Sequence, residues 1–286
     1  MKSLAPLALV LGTLGLSAVA GCLPERAEAE RLTARKGPTL APATADALIL
    51  QTVLIEQSIG DPFLDADLWQ VAASAVSGEQ KALLAENGLR ACVVRGHAPP
   101  RFLELLTSEQ STVNPQMLTF SNRKQEIIPT NGPLESSAFQ VVRTLGVEPA
   151  KFSLRQAGFG WQVRPEVMDV GLVKLTCEPH VQHGDRQEWL RPSGDGTQFT
   201  LRGEHPVIRF SELAVTAIVG PQDFLVIGGV AEPTEHLGCA AFRLDANGQS
   251  RQRVLVLRAV KRSSEATMNH SGKEAATLVS AAARSK

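Results

Sequence analysis

Two stretches of strict alternation constrain this chain most. From Trp161 to Met168, the side chains of Trp161, Val163 and Val167 fall on one side of an extended backbone, and Gln162, Arg164 and Glu166 on the other. Leu172 to Glu178 does the same, with Val173, Leu175 and Cys177 opposing Lys174, Thr176 and Glu178. A period of two belongs to a strand with one buried face, not to a helix. Leu48–Glu56 (LILQTVLIE) is apolar on both faces, which predicts a strand covered on two sides. Leu89–Val94, Leu213–Val219, Phe224–Val230 and Val254–Val260 supply further strands, with a turn over Gly220-Pro221-Gln222-Asp223. Met117–Phe120, the turn Ser121–Lys124 and Gln125–Ile128 read as a hairpin.

Helical signals are fewer and sit early. Asp67 is placed to cap a short helix through Trp69 and Val71. Ser77-x-x-Gln80 fits a capping box and Asn87-Gly88 a helix stop, so a helix is predicted over Gly78–Glu86. Pro99-Pro100 opens an amphipathic stretch in which Phe102, Leu105 and Leu106 share a face. Residues 184–205 read as a polar, Gly-rich connection. The expected fold class is therefore α+β, mainly β: a sheet or sandwich over residues 47–262 with two or three short helices in its first half. The Ser/Ala-rich tail, 263–286, is expected to be disordered.

Composition narrows the function. The 286 residues carry 29 basic and 29 acidic groups, so no general basic field exists to hold nucleic acid. Aromatics are 5% with no Tyr, too few for a base-stacking platform.

The first residues form a targeting segment. Lys2 precedes an apolar run from Leu4 to Ala20, which ends in Val19-Ala20-Gly21-Cys22. This ending resembles the bacterial lipobox. The resemblance implies cleavage after Gly21, lipidation of Cys22 and anchoring by several acyl chains, palmitate among them. Residues 1–21 are then a lipoprotein signal peptide, and the charged, Pro-, Thr- and Ala-rich residues 22–46 a flexible tether. Leu23, rather than Asp, after the lipidated Cys implies the outer membrane, facing the periplasm.

Candidate chemistry is sparse. Cys177-x-x-His180-x-x-His183 offers ligand types that suit zinc, but a tight site needs a third or fourth ligand and second-shell support. The better expectation is a buried Cys followed by two solvent-facing histidines; an exported metal-binding protein or metal-dependent enzyme on these three residues is the alternative. Asp61, Asp65 and Asp67 lack the EF-hand frame and suit turns and helix caps. No nucleophile elbow and no Cys-His frame is present, and Gly158-x-Gly160 and Gly228-Gly229 lack the context of a phosphate cradle. No cofactor and no catalytic residue is expected. Cys92, Cys177 and Cys239 allow at most one bridge among them, and none is assigned.

Five segments in one order resemble the C-terminal β-domain of bacterial secretins, in degenerate form. They are the strand ending in Glu56, Asn114–Ile127 with Pro115, Gly158–Val167 with Pro165 followed by Val173–Val181, the stretch Leu213–Gly229 read as a hairpin ending in Val226-Ile-Gly-Gly229, and a closing strand Arg253–Ala259. Only Leu237-Gly238 and Ala241-Phe242 echo the family's signature within Ala231–Ser250. Residues 23–45 are too short for the family's periplasmic modules, and residues 184–205 show no long alternating band for lipid. The resemblance implies Glu56, Pro115, Gly158, Pro165, Gly228 and Gly229 as fold-signature positions. It also implies a non-enzymatic, structural or accessory part of a protein secretion or pilus-type assembly, with protein partners or self-association through β edges.

Overall fold

The computed structural model describes residues 48–120, 124–168, 171–192, 198–230, 232, 234–246 and 248–261. The segments expected to be a signal peptide (1–21), a tether with Cys22 (22–46) and a disordered tail (263–286) therefore lie outside the described residues. Within the described part the fold is α+β and mainly β, with every strand pair antiparallel.

One sheet gathers strands from both ends of the chain. Its order is β2 (Ala73–Ser74), β3 (Leu89–Val94), β12 (Phe224–Gly229), β14 (Gln249–Lys261), β1 (Leu48–Ser58), β4 (Thr112–Phe120), with β13 (Arg243–Ala246) also on β14. The Leu48 and Phe224 strands thus share a sheet, joined through β14. The second sheet runs β10 (Val207–Arg209), β7 (Val173–Gln182), β6 (Ala150–Val167), β5 (Glu126–Val141), with β11 (Val215–Val219) also on β7. A separate pair, β8 (Gln187–Pro192) and β9 (Phe199–Glu204), forms a third, two-stranded sheet.

The two large sheets share one core, in which Leu50, Leu225, Ile227 and Leu255 of the first meet Trp161, Val163, Leu175 and Cys177 of the second. The first sheet has a second cover. A π-turn at Phe63–Asp67, α1 (Leu68–Val71) and α3 (Pro100–Thr107) place Phe63, Leu64, Leu68, Phe102 and Leu105 against Ile55, Val226, Val254 and Val256. This is why β12 and β14 carry unbroken apolar runs, Leu225-Val226-Ile227 and Val254-Leu-Val-Leu257, while β6 and β7 alternate: the apolar core lies on one face of the second sheet, and the polar Gln162 and His180 are buried on the other.

The remaining helices close the ends of the sandwich. α2 (Gly78–Glu86) spans the residues expected, but Ser77 makes no side-chain cap; Gln80 instead donates to the carbonyls of Glu212 and Ala214. Asp67 does not cap α1 either, because it already lies in helical backbone at the end of the π-turn. The cap falls to Asp61, whose Oδ1 accepts the Leu64 N–H at 3.0 Å. α4 (Leu237–Phe242) arises where sequence reading saw only a faint signature, and Leu237, Ala241 and Phe242 are buried in the main core.

Gly228 and Gly229 explain how α4 fits. A Cβ on Gly228 would lie 2.8 Å from Val254 and 3.1 Å from Trp69, and one on Gly229 would lie 2.3 Å from the Gly238 carbonyl oxygen. One glycine admits the indole on the helical side and the other admits the α4 backbone on the core side.

Two expected hairpins are corrected. β4 pairs with β1 and β5 pairs with β6, so the chain changes sheets between them; residues 121–123 lie outside the described part. β11 pairs with β7, whereas β12 pairs with β3 and β14. In both cases each strand finds its buried face in a different sheet, and adjacency in sequence does not create a ladder. Within residues 184–205, read as a polar, Gly-rich connection, Gln187–Pro192 and Phe199–Glu204 pair as β8 and β9.

Glu56 ties the layers together. Arg251 Nη1 donates to its Oε1 at 3.1 Å and Arg253 Nε to its Oε2 at 2.8 Å, and Arg253 Nη1 reaches across to the Thr130 carbonyl of β5 at 3.0 Å. Glu56→Gln is expected to cost about 3 kcal/mol in urea unfolding, since it strips the charge from a buried, hydrogen-bonded pair. Gly229→Ala is expected to cost about 1–3 kcal/mol through overpacking, whereas Gly78→Ala, with nothing within 4 Å of its Cβ, is expected to leave the urea midpoint undiminished.

Candidate functional site: a hairpin beside a glycine-floored groove

The residues singled out from sequence fall into three groups. Glu56, Pro165, Gly228 and Gly229 are packing positions inside the sandwich. Pro115 sits in a bulge of the edge strand β4: Thr52 pairs with Gln116 and Leu54 with Val113, so Asn114 and Pro115 face Val53 alone, with Asn114 at φ 52°. Gly158 belongs to an open groove described below.

Cys177, His180 and His183 are not brought together. Three residues apart on β7, Cys177 and His180 project to opposite faces of the sheet, Cys177 into the core beside Val163 and Val215. His183 lies past the end of the strand. Among the described residues no three His, Cys, Asp or Glu side chains cluster as a metal site. The expectation of two solvent histidines also fails, since His180 is 2% exposed with neither ring nitrogen hydrogen-bonded. Burial, and then the Arg209 charge on the adjacent strand, push its pKa down to about 4, so the ring is neutral at neutral pH.

None of Cys92, Cys177 and Cys239 is in a disulfide, and all three are buried. Burial pushes the Cys92 thiol up to about 12 and raises Cys177 and Cys239 as well, which makes them small hydrophobes rather than nucleophiles. Asp61 caps, and the Asp65 carbonyl accepts from Arg90 Nη1 at 2.7 Å; the acidic cluster has turn and packing duties.

The long sheet edges are guarded. β5 carries Pro129 and Pro133, which lack N–H donors, and bulges on either side of Asn131. The Asn131 Nδ2 donates to the Ala240 and Arg243 carbonyls at the end of α4, and the Gln140 N–H donates to the Glu235 carbonyl. On the opposite edge of the other sheet, β4 has its proline bulge. These devices blunt edge-to-edge pairing.

The β8–β9 pair also carries a proline, Pro192, but exposes large apolar side chains. Its register pairs Leu190 with Leu201 and Pro192 with Phe199, so these four side chains share one face, while Trp189 lies on the other. Leu190 is 68% exposed, Phe199 72% and Leu201 59%. The root is fixed: the His183 N–H donates to the Pro206 carbonyl, the Gly184 N–H donates to the Arg155 carbonyl of β6, and His205 Nδ1 is 2.9 Å from the Gly184 oxygen. Beyond the root the ladder spans six residues per strand, roughly 20 Å at about 3.3 Å per residue. A sequence alternation between Leu190 and Pro192 and between Phe199 and Leu201 was available, but each run is short and the Gly content of the connection masked it.

Next to that root, on the open face of the second sheet, lies a groove of about 550 Å³. Gly158 and Gly160, two apart on β6, leave its floor as bare backbone. Ile127, Pro129, Pro133 and Leu134 form the β5 wall, and His180, Gln182 and His205 the other. Gly160 is bare because β5 presses on it, with the Ile128 carbonyl 2.8 Å from where a Cβ would be; at Gly158 a Cβ would meet nothing within 4 Å.

No protein-family model and no curated protein matches this chain. Among solved structures it is similar to the InvG secretin domain β-barrel from the Salmonella SPI-1 injectisome NC-base. The identity is 12%, the match covers 81% of this chain and 68% of that one, and the TM-score is 0.21. At that score the likeness carries no weight, and the reading of the site rests on its geometry.

His180 gives a pH test. Its folded pKa of about 4 lies below the ordinary 6.5, so between these values the unfolded chain binds more protons and stability falls as pH falls. The urea midpoint is expected to drop from pH 6.5 toward pH 4, and His180→Gln to flatten that part of the profile. An unchanged slope in the variant would show that other groups set it.

Proposed function

We propose that this chain is a lipid-anchored, non-catalytic component of the bacterial cell envelope, a structural or accessory part of a protein secretion or pilus-type assembly, at the outer membrane and facing the periplasm. The observation that carries the assembly role is the β8–β9 pair, on which Leu190, Leu201 and Phe199 stand exposed on one face. A soluble domain rarely leaves contiguous apolar side chains exposed unless they meet a partner or a membrane. The Val19-Ala20-Gly21-Cys22 sequence supports the anchor, and the ordered secretin-like segments support the kind of assembly.

Against catalysis stand the buried, inert thiols and the separation of Cys177, His180 and His183 onto different faces and elements. His180, at the groove wall, is held neutral by burial.

Metabolic labelling with radioactive palmitate in a bacterial host, comparing the native chain with Cys22→Ser, tests the anchor. Label is expected in the native protein and absent from the variant. Blue-native electrophoresis of detergent extracts tests the assembly, where the lipidated chain, lighter than the 30.6 kDa of the full sequence once residues 1–21 are removed, is expected to run well above its monomer mass. An unlabelled, strictly monomeric protein would overturn the reading.

A further inference from the structure

We propose that the cleft between α2 and β3 binds a small organic monocarboxylate with an apolar body, its carboxylate held by Arg90 and Lys81. This site is separate from the hairpin and the groove, and it does not depend on the assembly role.

The cleft exists because β2 is short. Its two residues pair with Val93 and Cys92 of β3, and beyond them only the Ala75 N–H reaches the strand, at the Ala91 carbonyl. The space left beside the start of β3 is about 270 Å³. Drug-sized ligands occupy pockets of roughly 300–1,000 Å³, so the occupant is a smaller molecule. Trp69, Ala72, Val76 and Leu84 give the cleft apolar walls, while Arg90 from β3 and Lys81 from α2 bring two cations to it.

Arg90 is held there without an anion. Its Nη1 donates to the Asp65 carbonyl at 2.7 Å, its Nη2 donates to the Gly229 carbonyl at 3.0 Å, and its Cζ lies 4.6 Å from the centre of the Trp69 ring. These contacts fix the guanidinium plane, but carbonyls and an indole do not neutralise it. Nε is buried without a hydrogen-bond partner. Burial lowers the proton affinity of the guanidinium by more than the Asp65 carboxylate raises it. Among the described residues neither Arg90 nor Lys81 forms a salt bridge. A partly buried charge left in this way gains from an anion that meets it with hydrogen bonds.

The charges select a monoanion. Arg90 and Lys81 carry two positive charges, and Asp65 is the one carboxylate that acts on Arg90. Glu79 and Glu86 stand two residues before and five after Lys81 on α2, roughly 160° and 140° around a helix, and face away from the cleft. The one positive charge that remains is balanced by a carboxylate and exceeded by a phosphate dianion. The apolar walls then select a hydrocarbon body over a second polar group.

The test is isothermal titration of the full-length protein in mild detergent with sodium hexanoate, hexanamide and inorganic phosphate. Hexanoate is expected to bind one per chain, hexanamide about tenfold more weakly or less, and phosphate is expected not to displace hexanoate. Lys81 is exposed, so Lys81→Gln and Lys81→Glu are expected to keep the native urea midpoint. The first is expected to weaken hexanoate about 3–10-fold and the second to abolish binding. Arg90→Gln is expected to abolish it as well, with its urea midpoint measured alongside because two hydrogen bonds are lost; should that variant unfold, the two Lys81 variants decide. Absence of heat at millimolar hexanoate overturns the proposal, as does hexanoate binding that survives Lys81→Glu. Equal binding of hexanamide would show an apolar cavity that does not read charge, and equal binding of phosphate a bare anion site; either result also overturns it.

Discussion

The molecule depends on a ladder between its two ends. β1 and β14 pair over eleven positions, from Leu48 against Lys261 to Ser58 against Arg251. Nearly two hundred residues must be arranged before that ladder can form, and its formation closes the first sheet around β14, with β12 on one side and β1 on the other. The Glu56–Arg253 pair sits within this ladder, and Arg253 extends it to the Thr130 carbonyl in the second sheet. Contacts so distant in sequence incur loop-closure entropy before they return any energy, which makes a fold of this kind slow to form and cooperative once formed.

From that ladder follows an asymmetry between the two sheets. Helices take part of the outer face of the first sheet, so β12 and Val254–Leu257 of β14 are dry on both sides, while the second sheet has its apolar core on one face alone. The groove over Gly158 and Gly160 lies on the other face, and the β8–β9 hairpin leaves the sheet at the groove's rim. Prolines and bulges on β4 and β5 restrain the edges, and α4 covers part of β5.

How much of this was legible depended on whether a signal was local. The spans of β3, α2 and α3 follow from periodicity and stop signals within a few residues. The Leu48 strand was read as doubly covered, and its cover does come from the second sheet on one side and Phe63, Leu64 and Phe102 on the other. The hairpin readings for β4–β5 and β11–β12 failed because alternation fixes which residues face a core but not which sheet owns it. His180 shows the same limit: its place after Pro179 reads as loop, yet β6 and β10 pair on either side of it and seal the ring from water.

By itself the sequence determined the fold class and the buried faces of β6 and β7, since each of these is written in the type and spacing of neighbouring residues. The tertiary structure alone decided that Cys177 and His180 face opposite ways, that Asn87 serves as a buried hydrogen-bond partner to Val142 rather than merely ending a helix, and that an exposed hairpin stands beside a bare groove. These depend on strand order and register, which are settled by the competition of distant segments for a common core and leave no mark within any short window of the chain.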